Sequence, residues 1–308
     1  MPTAGSTRRN SVYDRSLTAG RGKGAVRSRA MKTRVKGGWE LTKKSWGALK
    51  SNKALMAIPV IGALVAVIPA IILTFPGLFL LADNQTAPGI ALVVIGIYLS
   101  TVAINYYAVV LAGAANAVFN DEPGPKKVGH QIARSRFKAI CGWALLSATL
   151  GAIFSLLESQ NTIGAIVSAL VGTAWALVTF LAIPIIALEG TGPFATVKRS
   201  TQLFKERWAG QITGQVTIGA IVALVVSLPS ILVMALGIYI LASTSVSAEE
   251  AIGVVLIIVG VIGLIFGSIF AAAIRGIFGI ALYRFAAQGI AVGPFTSEEL
   301  ERSVATKG

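Results

Sequence analysis

Six apolar runs divide this chain, at 54–82, 88–118, 139–157, 162–188, 212–242 and 251–285. Each is close to or beyond the roughly 20 residues that an α-helix needs to cross the hydrocarbon of a bilayer. The second and sixth runs exceed 30 residues. At about 1.5 Å of rise per residue they must tilt or project beyond the hydrocarbon on one side. Pro69, Pro184 and Pro229 fall inside runs and are expected to kink them, leaving carbonyls that neighbouring groups must satisfy.

Between the runs, the best-patterned polar stretch is Gly190–Gly210. Phe194, Val197, Thr201, Phe204 and Trp208 recur at alternating steps of three and four, which makes one helical stripe. Lys198, Arg199, Gln202, Lys205 and Glu206 cover the remaining faces. Gly192-Pro193 opens the helix, because proline at the first helical position loses only an amide that had no partner.

Shifted back by 155 residues, Phe194, Val197, Ser200, Thr201 and Phe204 fall on Trp39, Thr42, Ser45, Trp46 and Leu49. Lys43-Lys44-Ser45 then aligns with Lys198-Arg199-Ser200. A shift of 65 aligns Ala133-Arg134-Ser135 with the same triplet and brings Trp143 onto Trp208, with Gly129 and Arg136 at stripe positions. The Gly-Pro pair recurs as Gly124-Pro125, Gly192-Pro193 and Gly293-Pro294. The expected fold is therefore all-α: a polytopic membrane protein with six transmembrane helices as three hairpins, each preceded by a basic amphipathic interfacial helix.

Composition agrees with that pattern: 55% of residues are hydrophobic, 13% are charged and the mean hydropathy is +0.75, whereas about a quarter of an average soluble chain is charged. The net charge of +14 is concentrated ahead of the first run, where residues 1–53 hold 14 of the 27 Lys and Arg against Asp14 and Glu40. A basic leader beside a membrane reads as a topology signal and a contact for anionic lipid. Tyr13 is its only aromatic residue before Trp39, so no base-stacking surface accompanies the charge and no nucleic-acid partner is expected.

The short loops at 83–87, 158–161 and 243–250 carry Asp83, Glu158, Glu249 and Glu250 and no Lys or Arg. The opposite side carries the leader, then Lys126, Lys127, Arg134, Arg136 and Lys138, then Lys198, Arg199, Lys205 and Arg207. The positive-inside rule places both termini in the cytoplasm. Trp39, Trp46, Trp143 and Trp208 fall at the cytoplasmic ends of runs, the headgroup level that indole prefers, and Trp175 lies within one.

We expect a disordered basic tail over 1–38, a six-helix membrane domain over 39–290 and a short cytoplasmic tail over 291–308. Met31 is an alternative start, with residues 1–30 as an extension. Cys141 is the single cysteine and excludes an intrachain disulfide.

Trp39-Glu-Leu-Thr-Lys-Lys-Ser-Trp46, Gly142-Trp-Ala-Leu145, Ala174-Trp175, Ile183-Pro184, Glu189-Gly-Thr-Gly-Pro193 and Lys198-Arg-Ser200 resemble the bacterial integral membrane family DUF6159 over roughly residues 38–290. A more distant similarity is to the membrane domains attached to some glycerophosphodiester phosphodiesterases. The resemblance implies a bacterial plasma-membrane protein and carries over no activity or catalytic residue.

The catalytic inventory is sparse. His130 is the only histidine, in the polar stretch beside Lys126 and Lys127, and no spacing of His, Cys or carboxylates offers a metal site. There is no nucleophile elbow for a serine hydrolase. Gly190-Thr-Gly192-Pro-Phe-Ala195 fits a dinucleotide fingerprint in letters only, since it follows a membrane helix and Pro193 removes an amide that would hold phosphate. No cofactor, no metal and no enzymatic activity are expected.

The candidate lipid-headgroup or partner contacts are Lys43, Lys44, Arg134, Lys198, Arg199 and Lys205. The candidate intramembrane polar residues are Asn105, Glu189, Gln211, Gln215 and Arg275; they line a polar cavity or hydrogen-bond helices together, and Glu189 can pair with Arg275. Gly263-x-x-x-Gly267, continued by Ala271, and Gly210-x-x-x-Gly214 are small-residue seams for helix packing or homo-oligomer formation. Two readings follow. One is a non-enzymatic membrane component whose basic helices hold anionic headgroups or a protein partner; the alternative is a transporter or permease component for a small molecule or lipid.

Overall fold

A computed structural model describes residues 39–160, 171–172, 175–176, 179–208, 217–243 and 247–304 of the chain. The basic leader over 1–38, most of the fourth apolar run, Gln211 and Gln215 lie outside the described residues. Among those described, every regular element is helical. Four helices, Lys53–Ala82, Thr86–Phe119, Phe137–Leu157 and Glu250–Gln288, are long and apolar enough to cross a membrane, the signature of a multi-pass membrane protein.

Helix α1 covers 39–51 and stops at Asn52, whose extended backbone (φ −128°, ψ 109°) turns the chain. The Asn52 side chain accepts from the Ala54 amide and so caps α2, Lys53–Pro69. A π-helical turn over Ala70–Thr74 joins α2 to α3, Phe75–Ala82. Sequence analysis expected a kink at Pro69. Pro76, two residues into α3, contributes as well: a proline ring clashes with the carbonyl four residues earlier, here Ile72, and the wider π turn relieves that contact.

Helix α4, Thr86–Phe119, returns antiparallel to α2 and α3. Helix α5, Pro125–Ser135, and α6, Phe137–Gln160, follow. The fourth run ends in a short helix α7, Ala182–Leu188, preceded by a turn at Phe180 and Leu181, so Pro184 sits in the first turn of a new helix rather than at a kink inside a continuous one. Helices α8, Pro193–Trp208, α9, Thr217–Ser243, and α10, Ser247–Gln288, follow, the last two packed against each other as a hairpin. Pro229 lies inside α9 and the helix continues through it. Within 291–308, Val292, Phe295 and Leu300 are buried, the last in helix α11, Ser297–Val304.

Burial splits the bundle lengthwise. On α4, Ile90, Val94, Ile97 and Ile104 are exposed while Val109 to Ala115 are buried. On α10, Val254, Ile258, Ile262 and Phe266 are exposed while Ile274, Ile277, Phe278 and Ala281 are buried. The enclosed halves meet α1, α7, α8 and α11 in two adjoining clusters, one around Phe278, Leu203 and Leu300 and one around Val109, Ile140 and Ile186. The exposed apolar halves form the surface that a bilayer would cover, since no water-soluble surface leaves so large a contiguous apolar area bare. The packed core therefore lies at the end where the basic helices gather.

The α3–α4 and α9–α10 hairpins close in the same way. Between α3 and α4, a Cβ on Gly77 would stand 2.9 Å from the Val93 amide and 3.0 Å from the Gly89 carbonyl oxygen. Between α9 and α10, a Cβ on Gly237 would stand 2.9 Å from the Ile257 amide and 2.7 Å from the Gly253 carbonyl oxygen. Gly89 lies against Leu81 as Gly253 lies against Leu241, and Gly96 against Thr74 as Gly260 against Met234. Small residues let the two backbones of each hairpin approach closely. The seam on α10 thus runs through Gly253 and Gly260, and Gly263 adds to it by meeting Ser230 of α9, whereas Ala271 belongs to the core. Gly263 and Ala271 are used within the chain; Gly210 and Gly214 lie outside the described residues.

The middle copy departs. Gly129 of α5 presses against the Val110 carbonyl and Ala114 of α4, which buries the position where the other copies expose an aromatic. Trp143, aligned in sequence with Trp208, lies inside α6 and stacks on Trp175 at 6.0 Å between ring centroids. The basic helix and the span are separated at Arg136, so the alignment does not extend across them.

Candidate functional site

The candidate site is the basic end, built on α1 and α8. At most aligned positions their exposure agrees, the exceptions being Thr42 with Val197, Trp46 with Thr201 and Ala48 with Leu203. Ser45 and Ser200 are 0% exposed, Leu41 and Thr196 are buried, and so are Leu49 and Phe204. Lys44 and Arg199 are half-buried, while Lys43, Lys50, Lys198 and Lys205 are exposed. Trp39 is 41% exposed and Phe194, its counterpart, 77%.

The stripe expected on α8 is rotated by this packing. Its inward face is Thr196, Ser200, Leu203 and Phe204 with Val197 half-buried, and Phe194 points away from the core. Small polar side chains occupy the tightest contacts, where a hydrophobic scale does not place them. The hydroxyls of Ser45 and Ser200 are both buried without a hydrogen-bond partner among the described residues, a shared feature of the two copies. The Trp208 side chain is outside the described set.

Each inward cation holds a carboxylate. Arg199 Nε donates to Glu189 Oε1 at 2.9 Å, and the Tyr283 hydroxyl of α10 donates to the same oxygen at 2.8 Å. The hydrogen bond to Glu189 holds the Arg199 guanidinium above its ordinary range, with burial opposing. Glu189 does not pair with Arg275, which is exposed on α10 and makes no hydrogen bond or ion pair among the described residues. Its carboxylate partner is taken instead by Arg199, which the turn at Gly190 brings back onto Glu189. Gly190 is left-handed (φ 72°) and the Arg136 guanidinium packs directly over it, in space a Cβ would occupy.

In the other copy Lys44 Nζ donates to both oxygens of Glu299, at 2.6 and 2.7 Å. Glu299 also accepts the Thr296 amide at 2.9 Å and donates its own amide to Thr296 Oγ1 at 3.3 Å, a capping box that starts α11. Burial raises the Glu299 carboxyl, and the bonds from Lys44 and Thr296 outweigh it, so its pKa lies below the ordinary 4.5. Sequence reasoning missed Glu299; the capping-box spacing Thr296-x-x-Glu299 was its available signal.

The remaining candidates separate. Arg134 is exposed at the end of α5 and, with Lys126, faces His130. His130 is half-buried beside Tyr106, 3.4 Å from its hydroxyl, and its ring sits edge-on to Tyr107. Burial, then Lys126 and Arg134, holds its pKa below 6.5. Asn105 donates one N–H of its side-chain amide to the Thr101 carbonyl at 2.8 Å, one turn back on its own helix. Arg284, nine residues beyond Arg275 on the same helix, donates to Asn116 and Asn120 across α10 and α4. Among the described residues no three His, Cys, Asp or Glu side chains converge.

Fold and site together define a multi-pass α-helical membrane protein in which the α2–α4 and α9–α10 segments are each led by the same kind of basic helix. The chain belongs to DUF6159, a family of unknown function, matched over residues 89–293. No curated protein and no solved structure matches it. The family match begins within the first hairpin and so leaves α1 outside it, while α8 lies inside.

Proposed function

We propose that this is a six-span, non-enzymatic component of the bacterial plasma membrane, with both termini cytoplasmic, that holds anionic lipid or a protein partner at its cytoplasmic face. The fourth and fifth apolar runs supply the two spans beyond the four long helices already described. The carrying observation is that the buried core and the basic helices occupy one end while exposed apolar surface covers the other half of α4 and α10. The loops at the far end carry only acidic charges, so the positive-inside rule directs the basic end to the cytoplasm. A transporter would need a polar route at the midplane, and Asn105 directs one N–H of its side-chain amide to its own helix.

A reporter fused after Gly308 tests the orientation. Activity of a reporter that works only in the cytoplasm is expected; activity of one that works only outside contradicts the reading.

A further inference from the structure

We propose that the outward faces of α1 and α8 are two copies of one docking surface for the anionic phospholipid headgroups of the cytoplasmic leaflet. The inference rests on the orientation above and adds to it which cations meet the lipid and which do not. Of adjacent basic residues, Lys44 and Arg199 turn inward and are spent on Glu299 and Glu189. Lys43 and Lys198, one position earlier in each copy, are exposed, and so are Lys50 and Lys205 seven residues further on. Seven residues are close to two helical turns, so each pair lies on one face.

An exposed aromatic opens that face in both copies, Trp39 and Phe194, one turn ahead of the first lysine. Lys43 Nζ stands 6.0 Å from the centre of the Trp39 ring. On α1, Trp46 continues the face, with its ring edge-to-face against Phe270 of α10 and the remainder open. On α8, Lys198, Thr201, Gln202, Lys205 and Glu206 line a shallow groove, in which Gln202 donates to Glu206 at 2.7 Å.

Several observations choose lipid as the occupant. A ring beside ammonium groups suits the headgroup level, where the ring meets acyl carbonyls and the ammonium meets phosphate. The extended Asn52 separates α1 from the first span by a single residue, so α1 cannot leave the membrane surface. The inward ion pairs fix the rotation of each helix and keep the lysine face turned away from the core.

The test titrates purified full-length protein with phosphatidylglycerol in mild detergent and counts retained lipids by native mass spectrometry. Lys43→Gln/Lys50→Gln/Lys198→Gln/Lys205→Gln is expected to weaken retention strongly, by about fivefold per lysine at most, since each contributes up to the full surface attraction of a basic residue. The same four positions changed to Arg should retain lipid as the parent does. Lys44→Gln/Arg199→Gln should melt earlier yet keep its lipid. Unchanged retention in the four-Gln variant, equal retention of phosphatidylcholine, or an equal loss in Lys126→Gln/Lys127→Gln/Arg134→Gln would each overturn the proposal. Should the four-Gln variant fail to fold, raising salt tenfold over the unaltered protein decides: release supports the proposal and salt-insensitive retention sinks it. A reporter showing an external C-terminus removes the underlying orientation, whereas a cytoplasmic C-terminus with unchanged retention removes only this inference.

Discussion

In α8 the inward cation finds its carboxylate ten residues upstream, whereas in α1 the equivalent cation reaches 255 residues along the chain to Glu299. Both helices bury the first, fifth and ninth positions counted from Leu41 and Thr196 and expose Lys43 with Lys50 and Lys198 with Lys205. The difference lies in what holds them. Arg199 is closed by the local turn at Gly190 and shares Glu189 with Tyr283 from α10. Lys44 is closed only when the C-terminal helix has docked. One copy carries its own lock and the other borrows one from the end of the chain, so the two should come apart when the C-terminal segment is disturbed.

The largest expected effect tests that asymmetry. Leu300 is 0% exposed, and Leu300→Ala should cost about 2–5 kcal/mol of stability, as buried leucine truncations do. Amide hydrogen exchange should quicken in α1 and α11 and leave α8 protected. Equal loosening of both helices would remove the distinction.

The hairpin seams should respond alike. Gly77→Val and Gly237→Val each place new atoms within 3 Å of a backbone amide on the facing helix. Each is expected to cost about 1–3 kcal/mol, with the two melting-temperature shifts in detergent similar. A large shift for one and none for the other would mean that the copies no longer share a packing solution.

The locks themselves come next. Glu189→Gln weakens a hydrogen-bonded ion pair and the bond from Tyr283, and is expected to cost about 1–2 kcal/mol after allowance for the exposure of both side chains. Glu299→Gln should cost less, under about 1 kcal/mol, because its pair with Lys44 is similarly exposed and has no tyrosine behind it. Chemical denaturation of the two variants side by side reads the order.

The smallest effect is a pH dependence. The folded pKa of Glu299 lies below 4.5, so its stabilisation is complete above 4.5 and is lost as the pH falls through the folded value. Protection of α11 amides, taken relative to their intrinsic exchange rates at each pH, should therefore fall at acid pH in the parent protein, and the fall should shrink in Glu299→Gln.

Much of the architecture was legible from the letters, for a physical reason. Apolar runs long enough for a bilayer are required by backbone hydrogen bonding, and Lys43-Lys44-Ser45 beside Lys198-Arg199-Ser200 exposed the duplication of the leading helix. The phase of the α8 stripe was not legible. Thr196 and Ser200 are buried because they are small at a close contact, and Phe194 is exposed although it is aromatic. The division of labour between Lys43 and Lys44, or between Lys198 and Arg199, depends on which neighbour finds a carboxylate, and one of those carboxylates arrives from α11. The seams were sought at four-residue spacing, whereas Gly89 with Gly96 and Gly253 with Gly260 recur every seven, the repeat of a pair of helices packed at a shallow angle.

The central claim is that α1 and α8 present one and the same face to the membrane surface. Spin labels placed singly at 43, 45, 198 and 200, in protein whose Cys141 is replaced by Ser and which sits in nanodiscs containing phosphatidylglycerol, test it most directly by their accessibility to oxygen and to a water-soluble nickel chelate. The account predicts matching headgroup-level depths at 43 and 198 and shielding from both reagents at 45 and 200. Different depths at 43 and 198, or free access of the nickel reagent at 45 or 200, would contradict it.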